Sequence, residues 1–356
     1  MKYLGIDVHS SASVWCLLGA EGEVVRWGKT QSCAAALESL VRELMEGERL
    51  VVGQEVGTMA YMVYDAITAA GAEVLSFNAQ QLRMIASSRK KTDRRDAYWI
   101  ARALQTGMHP HPVYIPTGEI RGLRWLLTRR RMVLNERARW HNRGRATLRA
   151  AGQVVRCRPG RLGVVVEEML RSPKGVDAHV AEMIELCQRQ RSRLDYELRV
   201  VEAEVRQRAR EIEPIKRLQT IPAIGPLTAT TIYAWVGDVG RFPSAKTLGA
   251  YAGLVPSIRQ SGESTWMGSI TKAGSPQLRY TLVQAAHVLI ARSRGKEAAP
   301  LQEIAARVRG SRGRRKIAVV ALARHLLRIA YYILRDETVY DASRLHSIGE
   351  EDRAVA

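Results

Sequence analysis

The chain has 356 residues, 46% of them hydrophobic, with 55 Lys+Arg against 35 Asp+Glu and a net charge of +20. That length allows about two or three domains, and that apolar share excludes a disordered chain. The charge excess points to a polyanionic partner, of which nucleic acid is the usual one. Cys16, Cys33, Cys157 and Cys187 form no C-x-x-C pair, so a zinc site or disulfide framework is not expected and reduced thiols in a cytoplasm are. Asp7 interrupts the first apolar run, which argues against a signal peptide. No run approaches the roughly 18 uncharged apolar residues of a membrane span, so no membrane partner is expected.

Taken in chain order, Tyr3–Val8, Val14–Leu18 and Val24–Trp27 read as strands, the last two joined by the turn Gly19-Ala-Glu-Gly22. Residues 33–46 carry Leu37, Leu40, Val41 and Leu44 at helical spacing. Leu50–Glu55 is a short buried strand, Met59–Ala70 a helix stopping at Gly71, Glu73–Phe77 a further strand, and 93–106 a helix. Three strands followed by alternating helices and strands is the ribonuclease H-like order. Pro110, Pro112 and Pro116 then suggest a linker.

Residues 119–150 read as one long helix with ten arginines, Arg121, Arg124, Arg129, Arg130, Arg131, Arg137, Arg139, Arg143, Arg145 and Arg149, and Glu136 as the one acid among them. A solvated helix face normally mixes signs in i,i+4 pairs, so this one is expected to hold phosphates. A second helix over 176–211 has mixed charges and apolar residues at helical spacing, expected as a coiled-coil arm or dimer contact. The Ile-Gly-Pro turn at Ile224–Pro226 resembles a helix–hairpin–helix element, in which the backbone at Gly225 could hold a phosphate. A helix over 244–253, a Ser-rich loop over 257–275, a helix over 276–292, further helix with a basic run Arg307–Lys316, and an acidic end complete the chain.

Four acids carry the chemistry. Asp7 and Glu55 close apolar strands, where an unpaired carboxylate is costly. Asp93 and Asp96 are three apart on one helix face. Together they would repel one another and resist joint ionisation, a penalty that hard divalent cations remove. A metal pair held this way, two Mg²⁺ ions, suits phosphoryl transfer. The loop 257–275 adds Ser257, Ser261, Ser264, Ser269 and Ser275 with Arg259 and Lys272. A serine there could form a phosphoester. His287 is expected to be a packed histidine.

Ile6-Asp7, Glu55 and Lys91-Thr-Asp-Arg-Arg-Asp-Ala97 resemble the DEDD domain of the IS110/IS1111 family of insertion-sequence transposases. Ile221-Pro-Ala-Ile-Gly-Pro-Leu-Thr228, Ala252-Gly-Leu-Val-Pro256, Arg259-Gln-Ser-Gly262, Ile270-Thr-Lys-Ala-Gly-Ser275 and Leu278-Arg279 resemble that family's C-terminal transposase domain. One departure is Ala223, where the family commonly has glycine.

The resemblance implies a RuvC-like nuclease fold binding Mg²⁺ through Asp7, Glu55, Asp93 and Asp96. It implies a serine nucleophile, Ser261 by position, with Ser264 as the fallback. It also implies DNA as donor and target, a structured non-coding RNA that pairs with both, and multimers in which the two domains of different subunits meet at one site.

The expected division is a RuvC-like domain over 1–112, a helical, basic spacer over 113–212, a mainly helical transposase domain over 213–340 and an acidic tail over 341–356. The fold class is α/β followed by all-α, and the protein is expected to act in a prokaryotic cytoplasm, at the nucleoid. Two other functions stay open: a junction endonuclease using water at the acidic cluster, and a catalytically silent nucleic-acid-binding regulator.

Overall fold

A computed structural model describes residues 1–85, 92–153, 164, 167, 177–262, 264–310 and 314–345. The chain forms two compact units, Met1–Pro116 and Thr117–Ala356.

The first unit is built on a five-stranded sheet of β1 (Lys2–Asp7), β2 (Ala12–Leu18), β3 (Val24–Gln31), β4 (Leu50–Glu55) and β5 (Glu73–Phe77), in the order β3-β2-β1-β4-β5. β1, β2 and β3 pair antiparallel, whereas β1, β4 and β5 pair parallel. The helices are α1 (Ala34–Met45), α2 (Ala60–Ala69), α3 (Ala79–Ile85) and α4 (Asp93–Thr106). This mixed sheet is consistent with the ribonuclease H-like order read from the sequence; α3 is an addition to it.

Strand alternation sorts the two faces of the sheet. Leu4 and Ile6 of β1 and Val52 of β4 join Leu37, Val41, Val63 and Ile67 of α1 and α2 in one core. Each such fully buried aliphatic side chain contributes about 1.5–3 kcal/mol. Gly5 and Gly53 face the other way and sit opposite each other in the β1–β4 register. There α4 lies directly on the strands. A Cβ on Gly5 would overlap the Ala97 carbonyl and the Ala101 nitrogen, and one on Gly53 would press on Ile100 and Leu104. Ile100 and Leu104 complete a core with Val51 and Phe77.

The second unit begins with α5 (Gly118–Ala150) and α6 (Ala178–Glu211). They run antiparallel, because Arg129 pairs with Glu197 at 3.3 Å, Arg130 with Glu202 at 2.7 Å and Arg137 with Asp195 at 2.6 Å. Leu126 packs with Val201 and Val205 between them.

Among the described residues the further elements are α7 (Glu213–Leu218), α8 (Pro226–Val236), α9 (Ala245–Tyr251), β6 (Pro256–Ser261), β7 (Ser264–Ile270), α10 (Pro276–Arg292), α11 (Ala299–Arg309) and α12 (Arg315–Asp336), with 3₁₀ turns at Val239–Arg241 and Ala342–Leu345. One large core joins α7 to α12 and takes in Leu123 and Leu127 of α5. The first turns of that helix are therefore part of the unit's interior. α12 is long and apolar enough to cross a bilayer by length and composition. Here it is a core helix, with Leu322, Leu326, Leu327 and Ala330 buried among its neighbours.

Two expectations change. The segment read as a Ser-rich loop contains an antiparallel hairpin, β6–β7, and His287 is exposed on α10. Most of the irregular stretch 152–175 and of the acidic end 341–356 lies outside the described residues.

Candidate active site

The acids of the first unit occupy one end of the sheet by simple geometry. Asp7 stands two residues after Gly5, and Glu55 two after Gly53, so both acids share the face on which α4 lies. α4 begins at Asp93 after the N-cap Thr92, with Asp93 and Asp96 in its first turn. A helix start favours such anionic side chains. Gln54 braces the end of β4 beside Glu55. Its Nε2 donates to Ser76 Oγ at 2.9 Å and to the Ala60 carbonyl at 3.2 Å.

His9 stands between two of the acids, its Nε2 3.2 Å from Asp7 Oδ2 and 3.3 Å from Asp93 Oδ2. The ligand atoms of Asp7, His9 and Asp93 all lie within 4.8 Å of one another, a grouping able to hold a divalent cation. Burial pushes the Asp7 carboxyl above its ordinary range. His9 pulls it down, and Asp96, Asp93 and Glu55 push it up further by like-charge repulsion. The four predicted acids are thus electrostatic neighbours, with Glu55 and Asp96 outside the tight trio. His9 was missed in the sequence; its signal was the D-x-H spacing just past the strand end.

Beside Asp93 opens a groove of about 530 Å³ lined by Val14, Trp27, Gly28, Lys29, Thr92 and Arg94 as well. The Arg94 guanidinium lies 4.6 Å from the Trp27 ring centroid, and Trp27 stacks on Tyr98. Cationic and aromatic groups on one wall suit a nucleic-acid strand, which offers phosphates and base faces.

In the second unit Ser261 ends β6 and pairs in register with Ser264, which begins β7. Both are exposed at the hairpin tip, around Gly262 at φ 57°. Ladder pairing puts Arg259 opposite Trp266 and Ile258 opposite Met267. Alternation therefore places Ser261, Arg259 and Trp266 on one face and Ile258 and Met267 on the other. Ile258, Trp266 and Met267 are 61%, 61% and 66% exposed, so the ribbon projects without cover from its own unit.

The ribbon's base is locked. Gly253 and Gly274 have positive φ, and a Cβ on either would strike backbone, of Ala273 and Lys272 in one case and of Tyr251 in the other. Arg279 Nη1 donates to the Ala252 carbonyl at 3.0 Å and also to that of Ala273. Ser275 caps α10 through the Leu278 N–H. Lys272, itself at φ 56°, is exposed in this connection. Gly225 is exposed as the N-cap of α8, with Ala223 at φ 67° in the turn before it.

The arginines of α5 divide. Arg124 is buried, its Nε donating to the Ala234 carbonyl at 2.8 Å and its guanidinium 4.8 Å from the Trp235 ring centroid. That is a correction to its expected phosphate role. Arg129, Arg130 and Arg137 meet acids of α6, and Arg139 meets Glu136. Arg143 lies 4.6 Å from the Trp140 ring centroid. Arg121 is half-buried, as is Arg145, whereas Arg131 and Arg149 are exposed.

A cation-competent acidic centre in a basic chain, with an exposed serine ribbon in a second unit, suits an enzyme acting on nucleic acid. Comparison with known proteins supplies the rest. Residues 4–152 match the DEDD transposase model of IS110, and residues 215–302 match the model for transposases of the IS116/IS110/IS902 family. The chain is 26% identical over 297 residues to the transposase of insertion element IS1111A from Coxiella burnetii, covering 83% of this chain and 80% of the relative. It is 33% identical over 141 residues to the transposase of IS1328 from Yersinia enterocolitica, 39% of this chain and 41% of the relative. It is 35% identical over 130 residues to the pilin gene-inverting protein of Moraxella lacunata, 36% and 39% respectively. The chain belongs to the IS110/IS1111 family of insertion-sequence transposases, and it is a DNA recombinase.

Proposed function

We propose that the protein cuts and rejoins DNA through a covalent phosphoserine at Ser261, assisted by Mg²⁺ at the acidic centre and guided to donor and target by a structured non-coding RNA. The observation that supports it most is the position of Ser261, exposed at the tip of a ribbon whose base is locked, with Arg259 on the same face. In the first step Ser261 Oγ forms a bond to phosphorus as the bond from phosphorus to one deoxyribose oxygen breaks. The serine proton goes to solvent or a nearby base, and the released oxygen takes up a proton. Attack by a strand-end hydroxyl on the phosphoserine then restores a phosphodiester and frees Ser261. One ester replaces another, so rejoining needs no energy source. Arg259 is suited to the charge on the phosphate oxygens in both steps.

Asp7, His9 and Asp93, with Glu55 and Asp96 beside them, would hold the cation. Bound there, a divalent ion supplies charge neutralisation at the phosphate. The mutual repulsion at Asp7 is what such an ion relieves. His9 adds a nitrogen to an oxygen set, which favours Mn²⁺ as a working substitute for Mg²⁺.

The net charge and the outer arginines of α5 suit backbone binding without sequence readout; base pairing by an RNA would then supply sequence choice. We read α7, the turn and α8 as a helix–hairpin–helix phosphate contact at Gly225, and α5–α6 as a coiled-coil arm of a homo-oligomer. The inversion named for the Moraxella relative would need the same cutting and rejoining.

The test uses labelled element-end DNA incubated with the full chain and Mg²⁺, then denatured and run on a gel. Wild type and Ser264→Ala are expected to yield a protein–DNA adduct, and Ser261→Ala none. Cleavage by Ser261→Ala with no adduct from any variant would instead establish hydrolysis by water. Sequencing RNA co-purified with the protein tests the guide.

A further inference from the structure

The serine ribbon carries an aromatic side chain that the reaction above does not use. Trp266 pairs across the ladder with Arg259 and stands on the face of Ser261 and Ser264. The next residue of β7 on that face is Gly268. A Cβ there would lie 2.9 Å from Cζ3 and 3.2 Å from Cη2 of Trp266. The six-membered ring of the indole therefore rests on the strand where a side chain is missing, pointing away from the tip. Glycine weakens a strand interior, and one use of it is to let another group lie close on the backbone. With its inner face on β7 the indole keeps its outer face open, and Trp266 is 61% exposed. The seat fixes the ring before anything binds, so little freedom is lost on contact.

The two faces of the ribbon differ in chemistry. Arg259, Ser261 and Ser264 accompany Trp266, whereas Ile258, Gln260, Thr265 and Met267 on the other face are uncharged. A cation, hydroxyls and a flat π-surface together suit a nucleic-acid strand, which offers phosphates and flat bases in turn. An apolar protein partner would find its better match on the other face. Stacking on an aromatic ring is open to any base, whatever the sequence. In a paired duplex each base is already stacked on its neighbours. Exchange of strands parts bases from their partners near the cut and leaves their faces to be covered.

We propose that the outer face of the Trp266 indole, seated on Gly268, stacks on an unpaired DNA base near the scissile phosphate and so holds the cut strand against the ribbon. Two residues of strand span about 7 Å, which is the backbone distance from the Arg259–Trp266 pair to the Ser261–Ser264 pair. A strand lying along the ribbon with its scissile phosphate at Ser261 meets the indole within a few nucleotides, on one side of the cut. The place of that base beside the cut rests on Ser261 as nucleophile. The stacking itself rests on Trp266, Gly268 and Arg259.

The experiment titrates full-length protein, freed of RNA by nuclease, with element-end DNA left unpaired around the cut and carrying one abasic residue at each position in turn. Trp266→Ala is expected to weaken binding of the intact DNA about tenfold. Trp266→Phe keeps an aromatic face and should recover most of that loss. An abasic residue at one or two adjacent positions on one side of the cut should weaken wild type and Trp266→Phe alike and leave Trp266→Ala unaffected. Gly268→Ala retains the indole but unseats it, and should weaken binding several-fold. Wild-type affinity in Trp266→Ala or in Gly268→Ala overturns the proposal, as do abasic effects equal in wild type and Trp266→Ala at every position. Coupling that appears only when the scan is repeated in an RNA strand overturns it as well. A change of assembled mass in light scattering of Trp266→Ala, with no abasic coupling, assigns the face to a second copy of the chain instead. The Ser261→Ala adduct assay is independent. An adduct from Ser261→Ala with the Trp266 coupling intact removes the serine and the place beside the cut, not the stacked base; lost coupling with the serine adduct intact removes the stacked base alone.

Discussion

The two groups proposed to carry the chemistry of this recombinase are presented in opposite ways. The acids of the first unit sit at the end of a closed core, fixed by strand register, by α4 pressed onto two glycines, and by Gln54. Ser261 sits at the free end of a two-stranded ribbon with both faces exposed, fixed at its base alone. A cation site needs ligand atoms held to fractions of an ångström before anything binds. A nucleophile that must meet a phosphate on a long polymer gains from reach. The packing around each group matches the task proposed for it.

The sharpest way to break that contrast is at Gly5. Gly5→Ala puts a methyl into the backbone of α4 and is expected to cost about 3 kcal/mol. Hydrogen exchange read by mass spectrometry should show lost protection in β1 and α4, with peptides of the second unit unchanged. Equal protection in wild type and variant would mean that α4 is not seated as described.

Arg279→Ala attacks the other presentation. It strips donors from the carbonyls of Ala252 and Ala273 at the foot of the ribbon, at a cost of about 2 kcal/mol. DNA affinity should change little, and the yield of serine adduct should fall several-fold. If adduct yield survives at wild-type level, the base lock does not position Ser261.

Much of the first unit was legible in the sequence, because its strands are short apolar runs and its helices follow period 3.6. Glu73–Phe77 and the helix from Asp93 to Thr106 have the bounds that were expected. The acids stood out as polar ends of apolar strands. What the strands did not announce was the pair of glycines two residues before Asp7 and Glu55. Their meaning lies in what packs on them, a contact across more than ninety residues for Gly5 and Ala97. His9 was hidden for the same reason, since its two carboxylate neighbours come together only when α4 docks. In the second unit the ribbon was obscured by polar composition. Strand propensity there reads as loop, and cross-strand pairing overrides it. The arginine helix misled in a different way. Its missing counter-charges are present, but on α6, where an i,i+4 search along one helix cannot see them.

Asp7→Asn should separate stability from function. The Asp7 carboxyl is raised above its ordinary value near 3.8, so without a cation the folded chain binds that proton more tightly than the unfolded one. Its stabilising effect is complete below about pH 3.8 and is lost as pH rises through the raised value. In the presence of EDTA at neutral pH, Asp7→Asn is expected to stabilise the first unit by about 1 kcal/mol, a few degrees in Tm, while recombination of a mini-element in cells is abolished. Divalent cation should raise the Tm of wild type and not of the variant. A variant less stable than wild type in EDTA would remove like-charge repulsion as a feature of this site.

The smallest effect expected separates strain that serves a contact from strain that does not. Ala223 and Lys272 both hold positive φ, at 67° and 56°, where a side chain costs about 1–2 kcal/mol relative to the usual regions. Glycine at either position relieves that and adds unfolded-state freedom worth about 0.5–1 kcal/mol in the opposite direction. A net gain of about 0.5 kcal/mol is expected from both Ala223→Gly and Lys272→Gly in urea unfolding of the second unit. DNA affinity should then tell them apart. Ala223 carries no charge, so its variant should bind as wild type does. Lys272→Gly should bind more weakly and with a shallower salt slope, because it removes an exposed ammonium group from the connection that follows the ribbon. Equal affinity in both variants would leave the strain at Lys272 without a functional counterpart and would place phosphate binding on Arg259 instead.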